Sequence, residues 1–433
     1  MDLIIGNLAK PTNGSIGKIC NVTEAAIRYR QNNSPEEFED NIRKYRMGKS
    51  PFIPLDDYNT EMKTKYVSED VLNGTIPGIL NKDGSILLPT TLNDMLSALK
   101  ELDKFKGCKV ISPANFKGGV GKTSSVVNLA TTLAFFGKNV IIVDFDIQGN
   151  TTSMFDLYRD KLESVKEKER TSRKIDMDLA FSNKLEELYD FERSDYKYTI
   201  VDLLAAIQKD DIKEMVNEAI INLNDKVNTI GRLDILPNAS NIENALKFED
   251  IEKYLKNYGN TNKVLDDVLS LVKENYDFVI IDTPPSISLP LRMSTMATDY
   301  FVLLLTPDKM AKDGIAPFLV PIEMNRATYL KEKGKEITVL GGILNKYQKN
   351  SKIQQANKSS IDEDLLITTE NAELGNARLF EQHIKLDNVL NEAQFQTGSV
   401  LVYNPTHELV RDYFNLTLEI VDSIIIDKMS KEG

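Results

Sequence analysis

From Gly107 onward the chain alternates short apolar runs with longer stretches of helical period. The runs are Val110-Ile111, Val140-Ile141-Ile142-Val143, Phe278-Val279-Ile280-Ile281, Phe301-Val302-Leu303-Leu304-Leu305 and Ile337-Thr338-Val339-Leu340. Near-continuous apolar runs of this length, rich in β-branched residues, belong to strands buried on both faces. They predict an α/β fold, a mostly parallel doubly wound sheet with helices on both sides. Ligands of such sheets bind beyond the carboxyl ends of the strands. Here those ends lead into polar residues, Asp144 and Asp282 among them.

Residues 1–106 carry a different pattern. Ser15-Ile16-Gly17-Lys18-Ile19 and Thr23-Glu24-Ala25-Ala26-Ile27-Arg28-Tyr29-Arg30 predict two short helices joined by a tight turn. Thr23 would cap the second, which would present Arg28 and Arg30 near its end. Gly78 to Leu88 predicts a hairpin turning at Asp83-Gly84. Helix-turn-helix plus hairpin predicts a mainly helical, winged-helix-like DNA-binding region over 1–106, ahead of a second unit over 107–433. Within that unit the stretch near 154–198 is charge-dense, with its mixed signs concentrated in Lys161 to Arg170. It is expected to be an exposed insertion without chemistry of its own.

A length of 433 residues suits two or three folded units. No apolar run approaches the roughly 18 to 20 residues of a membrane span. The start, Met1-Asp2-Leu3-Ile4-Ile5-Gly6, lacks the basic region and long apolar core of a signal peptide. The expected location is therefore the cytoplasm. Cys20, Cys108, His383 and His407 are too scattered for a disulfide framework or a Cys/His metal site. A net charge of −12 argues against general attraction to nucleic acid or anionic lipid. A local basic patch remains compatible with it.

The chemistry concentrates after the first core strand, in Phe116-Lys117-Gly118-Gly119-Val120-Gly121-Lys122-Thr123-Ser124. Strand, glycine-rich loop and helix are what a phosphate-cradling loop requires. Glycines let backbone N–H groups close around phosphate oxygens, and the helix N-terminus adds partial positive charge. Lys122 would reach the β- and γ-phosphates and the Thr123 hydroxyl would bind Mg²⁺. Phe116 breaks the strict pattern G-x-x-x-x-G-K-[ST] at its first position, and Lys117 is one lysine more than that pattern needs. Asp146, just past the second core strand, could orient an attacking water. Asp282, ending another strand, would hold Mg²⁺ directly or through water.

Lys117 to Thr123, Asp144-Phe145-Asp146-Ile147-Gln148-Gly149-Asn150-Thr151-Thr152 and Ile281-Asp282-Thr283-Pro284-Pro285-Ser286 together resemble the deviant Walker A ATPases, and within them the ParA partition family. Val402-Tyr403-Asn404-Pro405 extends the likeness, which covers roughly residues 107 to 427. Ile147 departs from the family's usual proline. The resemblance implies that ATP and Mg²⁺ are the ligands and that Lys117 reaches across a homodimer to the partner's ATP. It also implies that Asn345 contacts adenine and that a ParB-like partner stimulates slow hydrolysis. Larger family members carry a winged helix for operator DNA and can repress their own operon. Non-specific DNA contacts lie on the core, where Lys346, Lys349, Lys352, Lys358 and Arg378 are the candidates. The ATP-bound form would then associate with the nucleoid.

Two other functions compete with DNA segregation. A MinD-like membrane-positioning ATPase would need a basic amphipathic C-terminal helix, whereas Leu418 to Asp427 is amphipathic but acidic. That favours packing onto the core over stable membrane association. A repressor using ATP only as a ligand would keep its DNA affinity without Lys117. A nitrogenase-reductase-like carrier needs cluster-binding cysteines that Cys20 and Cys108 cannot supply.

Overall fold

The computed structural model describes strand residues 3–5, 8–10, 53–54, 78–80 and 86–87. Beyond these it describes 97–115, 117–155, 157, 196–227, 229–238, 242–284, 288–308, 311, 314–334, 336–404 and 407–432. The expected helix-turn-helix with Arg28 and Arg30 lies outside the described residues, as does most of the charged stretch near 154–198.

Five short N-terminal strands form a sheet of their own: β1 (Leu3–Ile5), β2 (Leu8–Lys10), β3 (Ile53–Pro54), β4 (Gly78–Leu80) and β5 (Ile86–Leu87). β4 and β5 pair antiparallel, Leu80 opposite Ile86; the Asp83-Gly84 turn expected between them lies outside the described residues. They are one edge of the order β3-β2-β1-β4-β5.

The second sheet contains β6 (Lys109–Ala114), β7 (Val140–Asp144), β8 (Ile221–Asn222), β9 (Leu233–Leu236), β10 (Phe278–Asp282) and β11 (Tyr300–Leu305). It is completed by β12 (Thr338–Tyr347), β13 (Arg378–Leu379) and β14 (Ile384–Lys385). The order is β13-β12-β11-β6-β10-β7-β9-β8, with β14 beside β12. Only the edge pair β8–β9 is antiparallel. Consecutive strand residues alternate between two buried cores. Ile111, Ile142, Ile280 and Val302 face one core, while Val110, Ile141, Val279 and Ile281 face another. Sequence therefore dictates the sandwich: apolar residues at successive positions of the central strands demand helices on both faces.

The chain leaves β6 toward β7 on one side and later returns to β11 on the other, so the strand order switches direction at β6. A crevice opens at the carboxyl ends at such a point. Pro113 shapes it. β6 pairs with β10 only as far as Ile111, because proline has no N–H to continue the ladder. β10 instead stays in register with β7 to the last residue, which sets Asp282 beside Asp144.

Helix α1 (Lys122–Phe135) fills the first face and is buried almost throughout. The long C-terminal helix Glu408–Glu432 packs on it, Phe414 lying 5.5 and 5.3 Å from the rings of Phe135 and Phe136. Ile420, Val421 and Ile424 point into the same core, so the apolar face of the acidic segment is occupied by the protein itself. No helix among the described residues is long and apolar enough to cross a membrane.

Candidate nucleotide site

The phosphate loop connects β6 to α1. Its local conformation follows from its glycines: Gly119 and Gly121 have φ of 70° and 89°, values that side chains with a Cβ rarely adopt. Gly121 is also the N-cap of α1, so Lys122 and Thr123 open the helix. A Cβ at Gly121 would collide with the Asn345 side-chain amide. Asn115 anchors the start of the loop, donating its amide to the Leu304 carbonyl and accepting the Lys117 N–H at 2.7 Å.

The two lysines stand in opposite environments. Lys122 is 8% exposed. Burial lowers its pKa, and Asp282 and Asp146 oppose that shift, which sets both carboxylates near its ammonium. Lys117 turns outward. Its Nζ lies 2.7 Å from the Asp308 Oδ2 atom and 3.5 Å from the Thr306 Oγ1 atom, both beyond the end of β11.

Asp282 is fully buried. Its Oδ2 accepts the hydroxyls of Thr123 (2.9 Å) and Thr151 (2.7 Å), while its Oδ1 has no hydrogen-bond partner among the described residues. Burial pushes its pKa up to about 6. A buried, unspent carboxylate oxygen beside a threonine hydroxyl at a helix N-terminus is a donor set of hard oxygens, which fits Mg²⁺. Asp144 is its neighbour on β7. One oxygen accepts the Thr152 N–H and hydroxyl at 2.7 and 2.6 Å, and the other is also unpartnered. Burial first, and Asp282 second, push Asp144 up to about 8.

Asp146 sits past the strand end, as expected, and is 6% exposed. Its Oδ1 accepts the Gln148 N–H at 3.1 Å and its carbonyl accepts the Asn238 amide at 2.8 Å. The turn thus closes with Ile147 where the family has proline, and Ile147 packs against the second core. Asn345 at the end of β12 is buried, donating to the Val120 carbonyl at 2.7 Å and accepting the Lys346 N–H at 2.8 Å.

Gly118, Gly119, Val120, Gly121, Lys122, Thr123, Asp146, Asp282 and Asn345 therefore converge on one strand-end crevice. A family model for an AAA domain matches residues 108–339, more than half of the chain. The chain belongs to this family of ParA/MinD-type phosphate-loop proteins. It is 33% identical over 247 residues to an uncharacterized protein of Methanocaldococcus jannaschii, MJECL24, covering 57% of this chain and 76% of that one. It is 27% identical to the sporulation initiation inhibitor protein Soj of Bacillus subtilis over 50% of this chain and 65% of Soj. A ParA family protein of Chlamydia pneumoniae is 26% identical over 72% of this chain and 97% of its own length. Among solved structures, apo McdA of Cyanthece has a TM-score of 0.50 at 17% identity, covering 72% of this chain and 99% of McdA, which speaks to the fold alone.

Within this ParA-type chain the basic candidates separate. Lys349, Lys352 and Lys358 lie at and on the helix Lys352–Asn371, and Arg378 is paired with Asp362 of that helix at 2.7 Å. Lys346, by contrast, donates its Nζ to the Gly119 carbonyl of the phosphate loop at 2.6 Å. Motif reading also passed over Asp308, the Thr151 and Thr152 hydroxyls, and Gln394, which bonds the Ser124 hydroxyl from the helix Val389–Gln396. Asp308 was reachable, since it follows an apolar strand as Asp146 does.

Proposed function

We propose that this chain is a DNA-segregation ATPase whose ATP-bound homodimer binds DNA and is reset by hydrolysis. The observation that carries the reading is the division of labour between the two lysines of one loop. Lys122 is buried with the acidic pair, suited to hold the β- and γ-phosphates. Lys117 is half-exposed and held outside the loop by a surface aspartate, suited to leave it for a partner's phosphate.

In this mechanism loop N–H groups and Lys122 neutralise the triphosphate, and Asp146 orients the attacking water. Thr123 and Asp282 would hold Mg²⁺, which would supply charge neutralisation for the triphosphate. Lys117 of each protomer reaches the other's ATP, so nucleotide becomes part of the interface. Asn345 contacts the base after yielding part of its present bonding. A ParB-like partner accelerates turnover, and the N-terminal unit reads operator DNA and represses the operon. Its boundary with the ATPase unit falls ahead of Ala98, Leu99 and Leu102, which pack into the same core as α1, rather than between 106 and 107. Lys349, Lys352, Lys358 and Arg378 supply non-specific DNA contact on the core.

The test is DNA binding with ATP, ADP or no nucleotide, over a salt series, with anionic liposomes as control. ATP-gated, salt-sensitive binding to unrelated DNA is expected, because phosphate contacts release counterions. Liposome binding without DNA binding would replace this reading with a membrane-positioning one. Nucleotide-independent DNA binding would leave only a repressor.

A further inference from the structure

We propose that Lys346 is a positioning residue of the nucleotide site, fixing the phosphate loop before ATP arrives, rather than a DNA contact; this rests on the nucleotide-site reading above.

Three observations meet at this residue. Lys346 has φ of 59°, and only Glu373 shares a positive φ among described non-glycine residues. Left-handed backbone at a residue with a Cβ is uncommon and clusters where function requires it. The register of β12 against β14 is irregular at the same point: Asn345 pairs with Ile384 and Tyr347 with Lys385, leaving Lys346 between them. A bulge next to an active site re-aims a side chain. Here the side chain is aimed at the loop, where the Lys346 ammonium holds the Gly119 carbonyl at 2.6 Å.

The neighbouring residue holds the next carbonyl, Asn345 Nδ2 to Val120 at 2.7 Å. Two adjacent loop carbonyls are thus pinned from one strand end. The C=O and N–H of a trans peptide point in opposite directions. Pinning the Gly119 and Val120 oxygens toward β12 turns the Val120 and Gly121 N–H groups away from it. Gly118 and Gly119 have open space where a Cβ would stand, so side-chain packing does little to hold this part of the loop. Lys346 replaces packing with a charge-assisted bond to the peptide next to the one Asn345 holds. A loop preset in this way increases the fraction of chains competent to bind, and the apparent dissociation constant falls in proportion.

The experiment measures binding of a fluorescent ATP analogue with Mg²⁺ by stopped flow. Lys346→Asn tolerates the left-handed backbone and lacks the amine. It is expected to weaken affinity about five- to tenfold, the size of one charge-assisted hydrogen bond at a partly exposed site. The loss should fall mainly on the association rate, since the preset fraction has dropped. Lys346→Arg should recover most of it. The melting temperature without nucleotide should stay within about 2 to 4 °C of the wild type, since only one bond of an exposed lysine is lost. Unchanged nucleotide binding by Lys346→Asn, with or without a loss of DNA binding, overturns the proposal. So does a loss confined to the dissociation rate, which would mark a direct phosphate contact. Lys122→Ala runs in parallel: its normal binding would remove the nucleotide-site reading itself, whereas its failure beside a normal Lys346→Asn removes only this proposal.

Discussion

Asp308→Asn tests whether the Lys117–Asp308 pair holds the second lysine in reserve. The ion pair spans 2.7 Å with side chains 46% and 41% exposed. At that exposure solvent screens most of the Coulomb energy, and such pairs contribute about 0.5 kcal/mol. Forming a symmetric dimer breaks two of them, a cost of about 1 kcal/mol, equivalent to about fivefold in the dimerisation constant. A charge-assisted bond from Lys117 to phosphate returns more, about 1.5 to 3 kcal/mol each. The latch therefore delays assembly without preventing it. Light scattering with Mg²⁺ and ATP, in an Asp146→Ala background that slows hydrolysis, should show half-dimerisation at a protomer concentration about fivefold lower for Asp308→Asn. The gap should narrow in high salt, which screens exposed charges. Asp308→Glu, which keeps the charge within reach of Lys117, should dimerise close to the wild type. An equal shift for Asp308→Glu, or a shift for Asp308→Asn that high salt leaves unchanged, would refute the latch, because Asp308 would be acting through something other than its charge.

The remaining predictions concern the crevice itself. Lys122→Ala should abolish ATP binding in a fluorescence titration, whereas Lys117→Ala should bind as a monomer and fail to dimerise in light scattering. Asp146→Ala should bind ATP yet release phosphate slowly; full turnover would remove Asp146 from the water-orienting role. Buried Asp282 and Asp144 have pKa values pushed up to about 6 and about 8, against 3.8 ordinarily. The folded, metal-free protein then holds more protons than the unfolded chain between about pH 4 and pH 8, so its stability should fall as pH rises through that window. Thermal melts in EDTA would show it. Asp144→Asn, which keeps an acceptor for Thr152, should flatten the upper part of the slope; an unchanged slope would mean that Asp144 is already ionised.

How far the sequence reveals this site depends on how local each cause is. The phosphate loop is legible because Gly119 and Gly121 take their left-handed conformations within the loop and Thr123 opens the helix that follows. Asp282 is legible because an apolar strand places its last residue at the ligand-binding edge. The pairing of Asp282 with Asp144 is not, since it follows from the register of β10 against β7, which sets Phe278 opposite Val140 and carries through to the two aspartates. Lys346 marks the limit most clearly. Counting charges along the chain groups it with Lys349 and Lys352, and by spacing alone that grouping is sound. A bulge in β12, against a strand 39 residues later (Asn345 opposite Ile384), turns its amine onto a loop 227 residues earlier. Asp308 meets Lys117 across 191 residues in the same way. The sequence motif supplies the groups that touch phosphate, and long-range strand register decides which other charges restrain them.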